Sequence, residues 1–271
     1  MTQISILGCG WLGLPLAKSL IEKGNSINGS TTSESKLSIL KDSGINPFLA
    51  ALESESVSES IIDFLAKSEI LIIDIPPKLR AANPDSEKKV FVEKIKTLIP
   101  FIEKSEIKRV LLVSSTSVYG DDNDFITEET NPNPDTESSK QLVLAEKILR
   151  ENQNFETTIL RFGGLIGEDR HPVKFLAGKE NLENPDAPIN LIHLNDCIGI
   201  IEAILNQSKW NDVFNAAAPF HPTREEYYTQ KAKEQNLTLP KFSSEKSDIR
   251  KIISSEKIET ILNYKFRLEN Y

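Results

Sequence analysis

The stretch Ile4-Ser5-Ile6-Leu7-Gly8-Cys9-Gly10-Trp11-Leu12-Gly13 sets a GxGxxG pattern directly behind a short apolar run. Behind it, apolar side chains at positions 12, 16 and 20 mark one face of a helix over 12–23, and Gly24-Asn25 offers its stop. Strand, glycine turn and helix therefore follow in register. In such a unit the first glycine permits a tight turn and the second lets the backbone come close to an anion. The third lets the helix pack on the strand, with the helix N-terminus facing the anion. The spacing predicts the diphosphate of a dinucleotide against Gly8, Gly10, Trp11, Leu12 and Gly13. A glycine turn without a ligand is the competing reading, and Trp11 is expected both to line the loop and to fill the neighbouring core.

Outward from this unit, strand-like and helix-like runs alternate. A weak strand over 26–30 is followed by a helix over 54–67 with Val57, Ile61, Ile62 and Leu65 on one side. An apolar strand over 70–75 stops at Pro76 and Pro77. A helix over 86–105, a strand over 110–114, a helix over 137–151 with Leu142, Ala145, Ile148 and Leu149 inward, and a strand over 157–161 complete the rhythm. Such alternation predicts an α/β protein, a Rossmann-type doubly wound parallel sheet covered on both faces, over residues 1–162. Residues 163–271 are rich in glycine and proline at first and read as a small C-terminal cap that holds the substrate. Within it the chain returns toward the sheet near 189–216, through strand-like 189–193, helical 195–207 and strand-like 213–216, and ends in short elements over 249–262 and a tail over 264–268.

Composition narrows the function. Of 271 residues, 39% are hydrophobic and 27% charged, which excludes collagen-like and disordered classes. Thirty-two basic against 40 acidic residues leave a net charge of −8, the wrong sign for general attraction to nucleic acid or anionic lipid. Any anionic ligand must be held by local chemistry. Cys9 and Cys197 stand without a CxxC partner, so the reading is two reduced structural thiols and no metal site. The 4–16 stretch imitates the apolar part of a signal, but no Lys or Arg precedes it and Gly8, Gly10, Gly13 and Pro15 break it. It is assigned to the fold, and a cytoplasmic protein is expected.

An NAD-binding unit of this type would carry a carboxylate after the second strand, where it accepts hydrogen bonds from the adenosine ribose. Thr31 stands there instead, 18 positions past Gly13. Thr31, Thr32 and their serine neighbours offer hydroxyls and Lys36 a charge, which favours NADP over NAD. The same residues also read as an N-capping run before a helix over 33–42. Pro76 at the end of the 70–75 strand, and Ser114 at the end of the 110–114 strand, complete the expected cofactor set.

Five motifs in order, GxGxxG, Ser114-Ser115-Thr116-Ser117-Val118-Tyr119-Gly120, the 128–134 stretch before a helix with Lys140, Leu160-Arg161 leading to Gly167, and Ile192-His193-Leu194-Asn195-Asp196, resemble the extended short-chain dehydrogenase/reductases. Arg170-His171-Pro172 followed by Phe175-Leu176-Ala177-Gly178-Lys179 is similar to an atypical branch of the NAD-dependent epimerase/dehydratase family, the YeeZ-like proteins. The resemblance runs over nearly the whole chain. It implies an NAD(P)-dependent oxidoreductase or epimerase with a catalytic serine at Ser115 and a ribose-binding lysine at Lys140. It also implies a homodimer through the helices over 86–105 and 137–151. The family's YxxxK tyrosine falls on Thr136, whose hydroxyl has a pKa far above the tyrosine value of about 10 and cannot serve as general base near neutrality. The proton would then pass through a residue such as His171 or through water. By resemblance Arg170, His171 and His193 edge the pocket for a small, sugar-like or phosphorylated substrate, whereas Tyr119 is structural. A lone histidine, His221 included, is more often a structural hydrogen-bonder. A dinucleotide-binding sensor or interaction protein without turnover is the alternative.

Overall fold

A computed structural model describes residues 2–54, 56–77, 90–121 and 124–267. In chain order the first half contains β1 (Gln3–Leu7), α1 (Gly13–Glu22), β2 (Ser26–Thr31), α2 (Leu37–Asp42), β3 (Asn46–Leu49), α3 (Ile61–Leu65), β4 (Ile70–Ile73), α4 (Val90–Lys104) and β5 (Arg109–Ser115). There follow β6 (Phe125–Ile126), α5 (Glu137–Arg150), β7 (Glu156–Phe162), β8 (Gly164–Ile166), α6 (Val173–Leu176), β9 (Leu191–His193), α7 (Leu194–Gln207), β10 (Val213–Ala216), α8 (Arg224–Glu234), β11 (Ile252–Ile253) and α9 (Glu256–Ile261).

Seven strands form one parallel sheet in the order β10-β7-β5-β4-β1-β2-β3. Connections run outward in opposite senses from β1 and β4, so a crevice opens beyond the C-terminal ends of those two strands. Strand residues alternate between two cores. Ile70 and Ile72 pack with α1, α7 and α9, and Leu71 and Ile73 with α3, α4 and α5. Burial on both faces explains why β4 is apolar throughout.

Helix α1 buries Gly13, Leu16, Ala17 and Leu20, the i, i+3, i+4, i+7 face of an amphipathic helix. It ends at Gly24, which adopts φ +87°. Glu202 of α7 accepts from Ser19 at 2.6 Å and pairs with Lys23, tying α7 to α1. Two-stranded pairs β8/β9 and β6/β11 lie beside the main sheet, and β11 brings the end of the chain back to the segment after β5.

Some sequence expectations change. The helix expected over 54–67 is confined to Ile61–Leu65, and Ile62, expected on its inner side, is 64% exposed. A short helix has one buried face, and Ile61, Phe64 and Leu65 fill it. Strand β3 carries Pro47, which is tolerated because β3 is the edge of the sheet. Residues 86–89 of the helix expected over 86–105 lie outside the described residues, as does position 268 of the expected tail; α4 itself runs Val90–Lys104.

Candidate functional site

The glycine loop is held from three sides. Gly8 adopts φ +106°, and a Cβ there would come within 2.3 Å of the Asp74 carbonyl oxygen; a Cβ on Gly13 would come within 2.2 Å of the Gly8 carbonyl. Only glycine fits at either position. The end of β2 anchors the turn, with Gly8 N–H donating to Ser30 Oγ at 2.9 Å and Cys9 N–H to the Ser30 carbonyl at 2.8 Å. Cys9 is buried, and burial, reinforced by the Asp74 charge, pushes its thiol up to about 12. Gly10 differs from its neighbours: a Cβ there would meet nothing within 4 Å. The space above Gly10 is open cleft.

From the other side a tight turn at 167–170 closes on the loop. Trp11 Nε1 donates to Asp169 at 2.9 Å, the Arg170 guanidinium lies 5.0 Å from the Trp11 ring centroid, and a Cβ on Gly167 would press within 2.8 Å of that ring. Trp11 thus lines the cleft and is packed as well.

The cleft encloses about 560 Å³, within the range of cofactor sites. Gly8, Gly10, Trp11, Leu12, Thr31, Thr32, Lys36, Pro76, Ser114, Ser115 and Arg170 all line it. Gly13 adjoins it: a Cβ there would come within 3.2 Å of the Asp74 carboxylate. Thr31 Oγ1 accepts from Ser33 N–H at 3.2 Å within the turn. The single helix expected over 33–42 is a 3-10 turn at Glu34–Lys36 followed by α2. Neither Ser33 nor Lys36 ahead of them makes a side-chain capping bond, so the N-capping expected of the Ser/Thr run is not seen. Ser115 Oγ caps the 3-10 turn Thr116–Tyr119 by accepting from Ser117 N–H at 3.1 Å, a bond that leaves its own proton unused.

Besides Gly13, four sequence-predicted residues are not among those lining the cleft. Thr136 is the N-cap of α5, exposed, its hydroxyl accepting from Ser139 N–H at 3.2 Å; Lys140 lies one turn on, exposed. His171 accepts from Val173 N–H at 3.2 Å through Nδ1 and bonds Tyr227 Oη at 3.0 Å through Nε2, stacked on that ring. It fastens α6 to α8, and burial, with Lys231 and Lys174 nearby, holds its pKa below the usual value. His193 is the N-cap of α7, accepting from Asn195 N–H. His221 contacts the Ile189 carbonyl, and its burial also lowers its pKa.

Beneath Ser114 lies a buried polar network. Ser114 Oγ donates to Glu146 at 2.5 Å, Arg161 pairs with the same carboxylate, and Arg161 also donates to Tyr119 Oη at 2.7 Å, which in turn donates to Asn215 at 2.8 Å. Burial raises the Tyr119 pKa, and its oxygen is committed to structure.

Sequence reasoning missed Asp74 and Lys94, and the apolar wall of Ala50, Leu52 and Phe91. The signal for Asp74 was a carboxylate at the end of a wholly apolar strand. Burial pushes Asp74 up to about 7, against the opposing pull of the Gly13 N–H and Arg170. Among the described residues no cluster of three His, Cys, Asp or Glu could hold a metal, and no helix is long and apolar enough to cross a membrane.

A parallel sheet with a glycine loop at its switch point and an open cleft over the second glycine defines a dinucleotide-binding α/β protein. A family model described as NAD(P)H-binding matches residues 8–190, and the chain belongs to that family. It is 35% identical to Protein YeeZ of Escherichia coli K12, over 98% of this chain and 96% of that one. Its fold is also that of UDP-glucuronic acid 4-epimerase from Bacillus cereus in complex with UDP-glucuronic acid and NAD, at TM-score 0.80 and 14% identity, covering 98% of this chain and 95% of the other. UDP-N-acetylglucosamine 4-epimerase from the same organism matches at TM-score 0.78 and 16% identity, over 100% and 92%.

Proposed function

We propose that the protein binds NADP in preference to NAD and carries out oxidoreductase- or epimerase-type chemistry on a small sugar-like or phosphorylated substrate. The observation that carries this reading is one cleft lined by the glycine loop, the Thr31-Thr32-Lys36 group and Ser115. Open space at Gly10 fits an approaching diphosphate. From the turn after β2, hydroxyls and a lysine line the cleft where a ribose 2′-phosphate would be received, and Glu34 of that turn is not among the lining residues. The nicotinamide, when bound, supplies hydride transfer. Ser115 offers its hydroxyl proton to the reacting oxygen, and Arg170 offers a cation to an anionic substrate group. Residues 1–162 serve the cofactor and 163–271 the substrate, in a cytoplasmic homodimer built through α4 and α5. The structural relative bound to UDP-glucuronic acid supports a nucleotide-sugar-like substrate.

A second reading, a dinucleotide-binding sensor without turnover, is favoured by one specific observation. Thr136 is committed to capping α5 and His171 to Tyr227, so neither stands in the cleft as a proton carrier. Turnover separates the two. The enzyme reading expects nucleotide-sugar-dependent reduction of the nicotinamide, lowered roughly 10²-fold by Ser115→Ala; absence of turnover across nucleotide sugars and simple carbonyls selects the sensor. For the cofactor, calorimetry is expected to give NADP at least tenfold tighter than NAD, about 1.4 kcal/mol, with the order reversed by Thr31→Asp. A tenfold preference for NAD overturns that assignment.

A further inference from the structure

Asp74 follows β4 directly, lines the cleft, and sets its carboxylate 3.2 Å from where a Cβ on Gly13, the first residue of α1, would lie, with the Gly13 N–H favouring its charged form. Its own carbonyl oxygen lies where a Gly8 side chain would be, so backbone and side chain together span the first and last glycines of the loop. A helix N-terminus stabilises one negative group well, and here a carboxyl of the protein stands at the terminus that the cofactor reading gives to a diphosphate. Two anions so close in a partly enclosed cleft repel each other strongly.

Among the described residues, the charged and titratable groups facing Asp74 come from three elements: Cys9 from the loop, Cys197 from α7, and Arg170 from the 167–170 turn. Both thiols are pushed up, by burial first and by the Asp74 charge as well, and stay neutral through the neutral range. An arginine keeps its charge there. No histidine lines the cleft among the described residues. Of this set only Asp74, with its carboxyl near 7, changes charge around neutrality.

We propose that Asp74 yields the diphosphate seat to an incoming dinucleotide by taking up a proton, so that cofactor binding is coupled to protonation of this carboxyl. The inference rests on the dinucleotide reading above. One proton moves from solvent to the Asp74 carboxylate as the dinucleotide enters, and no other bond changes. Above neutrality the free protein holds Asp74 mostly ionised, and binding there weakens toward tenfold per pH unit. Arg170 remains to face the incoming charge.

The test compares wild type with Asp74→Asn, which keeps an acceptor for the Gly13 N–H and removes the titration. NADP and NAD are titrated at pH 8 in two buffers of different ionisation enthalpy, and by intrinsic tryptophan fluorescence from pH 6 to 9. Taking the difference between the two proteins cancels the proton chemistry of the ligand itself, including the NADP 2′-phosphate. The expected result is uptake of close to one proton per ligand in wild type and none beyond the ligand's own in the variant. The variant binds at least fivefold tighter at pH 8 and equally near pH 6. A ligand-free melting series checks the variant's fold. Because a carboxyl raised in the folded state loses stability as pH climbs from its unfolded value to its folded one, wild type should fall relative to the variant between pH 4 and 7 and then run parallel. Binding with no difference in proton uptake or pH profile overturns this inference alone. Failure of both proteins to bind either dinucleotide at any pH overturns the cofactor reading and this one with it.

Discussion

Three glycines of one motif do different physical work, and only their neighbours reveal it. Gly8 and Gly13 are required by the protein itself, since any side chain would strike backbone oxygens at 2.3 and 2.2 Å. A side chain at Gly10 would touch nothing of the protein, so any demand for glycine there would come from a ligand. The two cases separate by experiment. Gly10→Val is expected to melt within a degree or two of wild type and to lose dinucleotide affinity at least a hundredfold by calorimetry; unchanged binding would remove the loop from the cofactor site. Gly8→Ala combines a positive φ with a backbone clash, and should cost at least about 1–3 kcal/mol in chemical denaturation. The pattern was legible in the sequence, but Asp74 was not. It lies 61 positions after Gly13, and its approach to that N–H depends on β4 pairing with β1.

At the scale of elements, the sequence revealed strongly periodic pieces and concealed those whose stability comes from ends and edges. Strand β3 is four residues long with a proline; pairing with β2 makes it a strand, and its place at the sheet edge tolerates the proline. Helix α8 has weak amphipathicity but carries a legible start, the capping box of Thr223 and Glu226, which the sequence reading passed over. Helix α5 bears on function. Thr136, expected from the sequence to stand in place of a catalytic tyrosine, caps the helix. Replacing it with alanine should cost about 1 kcal/mol of stability, whereas Thr136→Ser should cost little. Dinucleotide affinity should be the same for both, as measured in parallel by denaturation and fluorescence titration. A selective loss of affinity in Thr136→Ala would return Thr136 to the site.

Across the whole molecule, the Glu146-Arg161 pair joins α5 to β7, while Ser114 extends its reach to β5, Tyr119 to the 3-10 turn after β5, and Asn215 carries it to β10. Removing one partner strands a buried charge, so Glu146→Ala should lower the unfolding free energy by roughly 3–5 kcal/mol. Glu146→Ala/Arg161→Met should recover part of that loss; a single variant that unfolds at the wild-type urea midpoint would show the pair to be dispensable. Local sequence determined the doubly wound class, because strand and helix periods, glycine turns and helix stops act over a few residues and need no partner to be recognised. It also determined the glycine loop and the hydroxyl-rich turn after β2 for the same reason. Tertiary structure alone decided which chemical groups meet. It carried Arg170 onto Trp11, set Asp74 at the head of α1, engaged His171 with Tyr227 and His193 in capping α7, and left Thr136 as a cap. Those outcomes depend on strand order and on the packing of distant turns, so the residue types that suggest chemistry in the sequence acquire or lose it only when the sheet closes around the cleft.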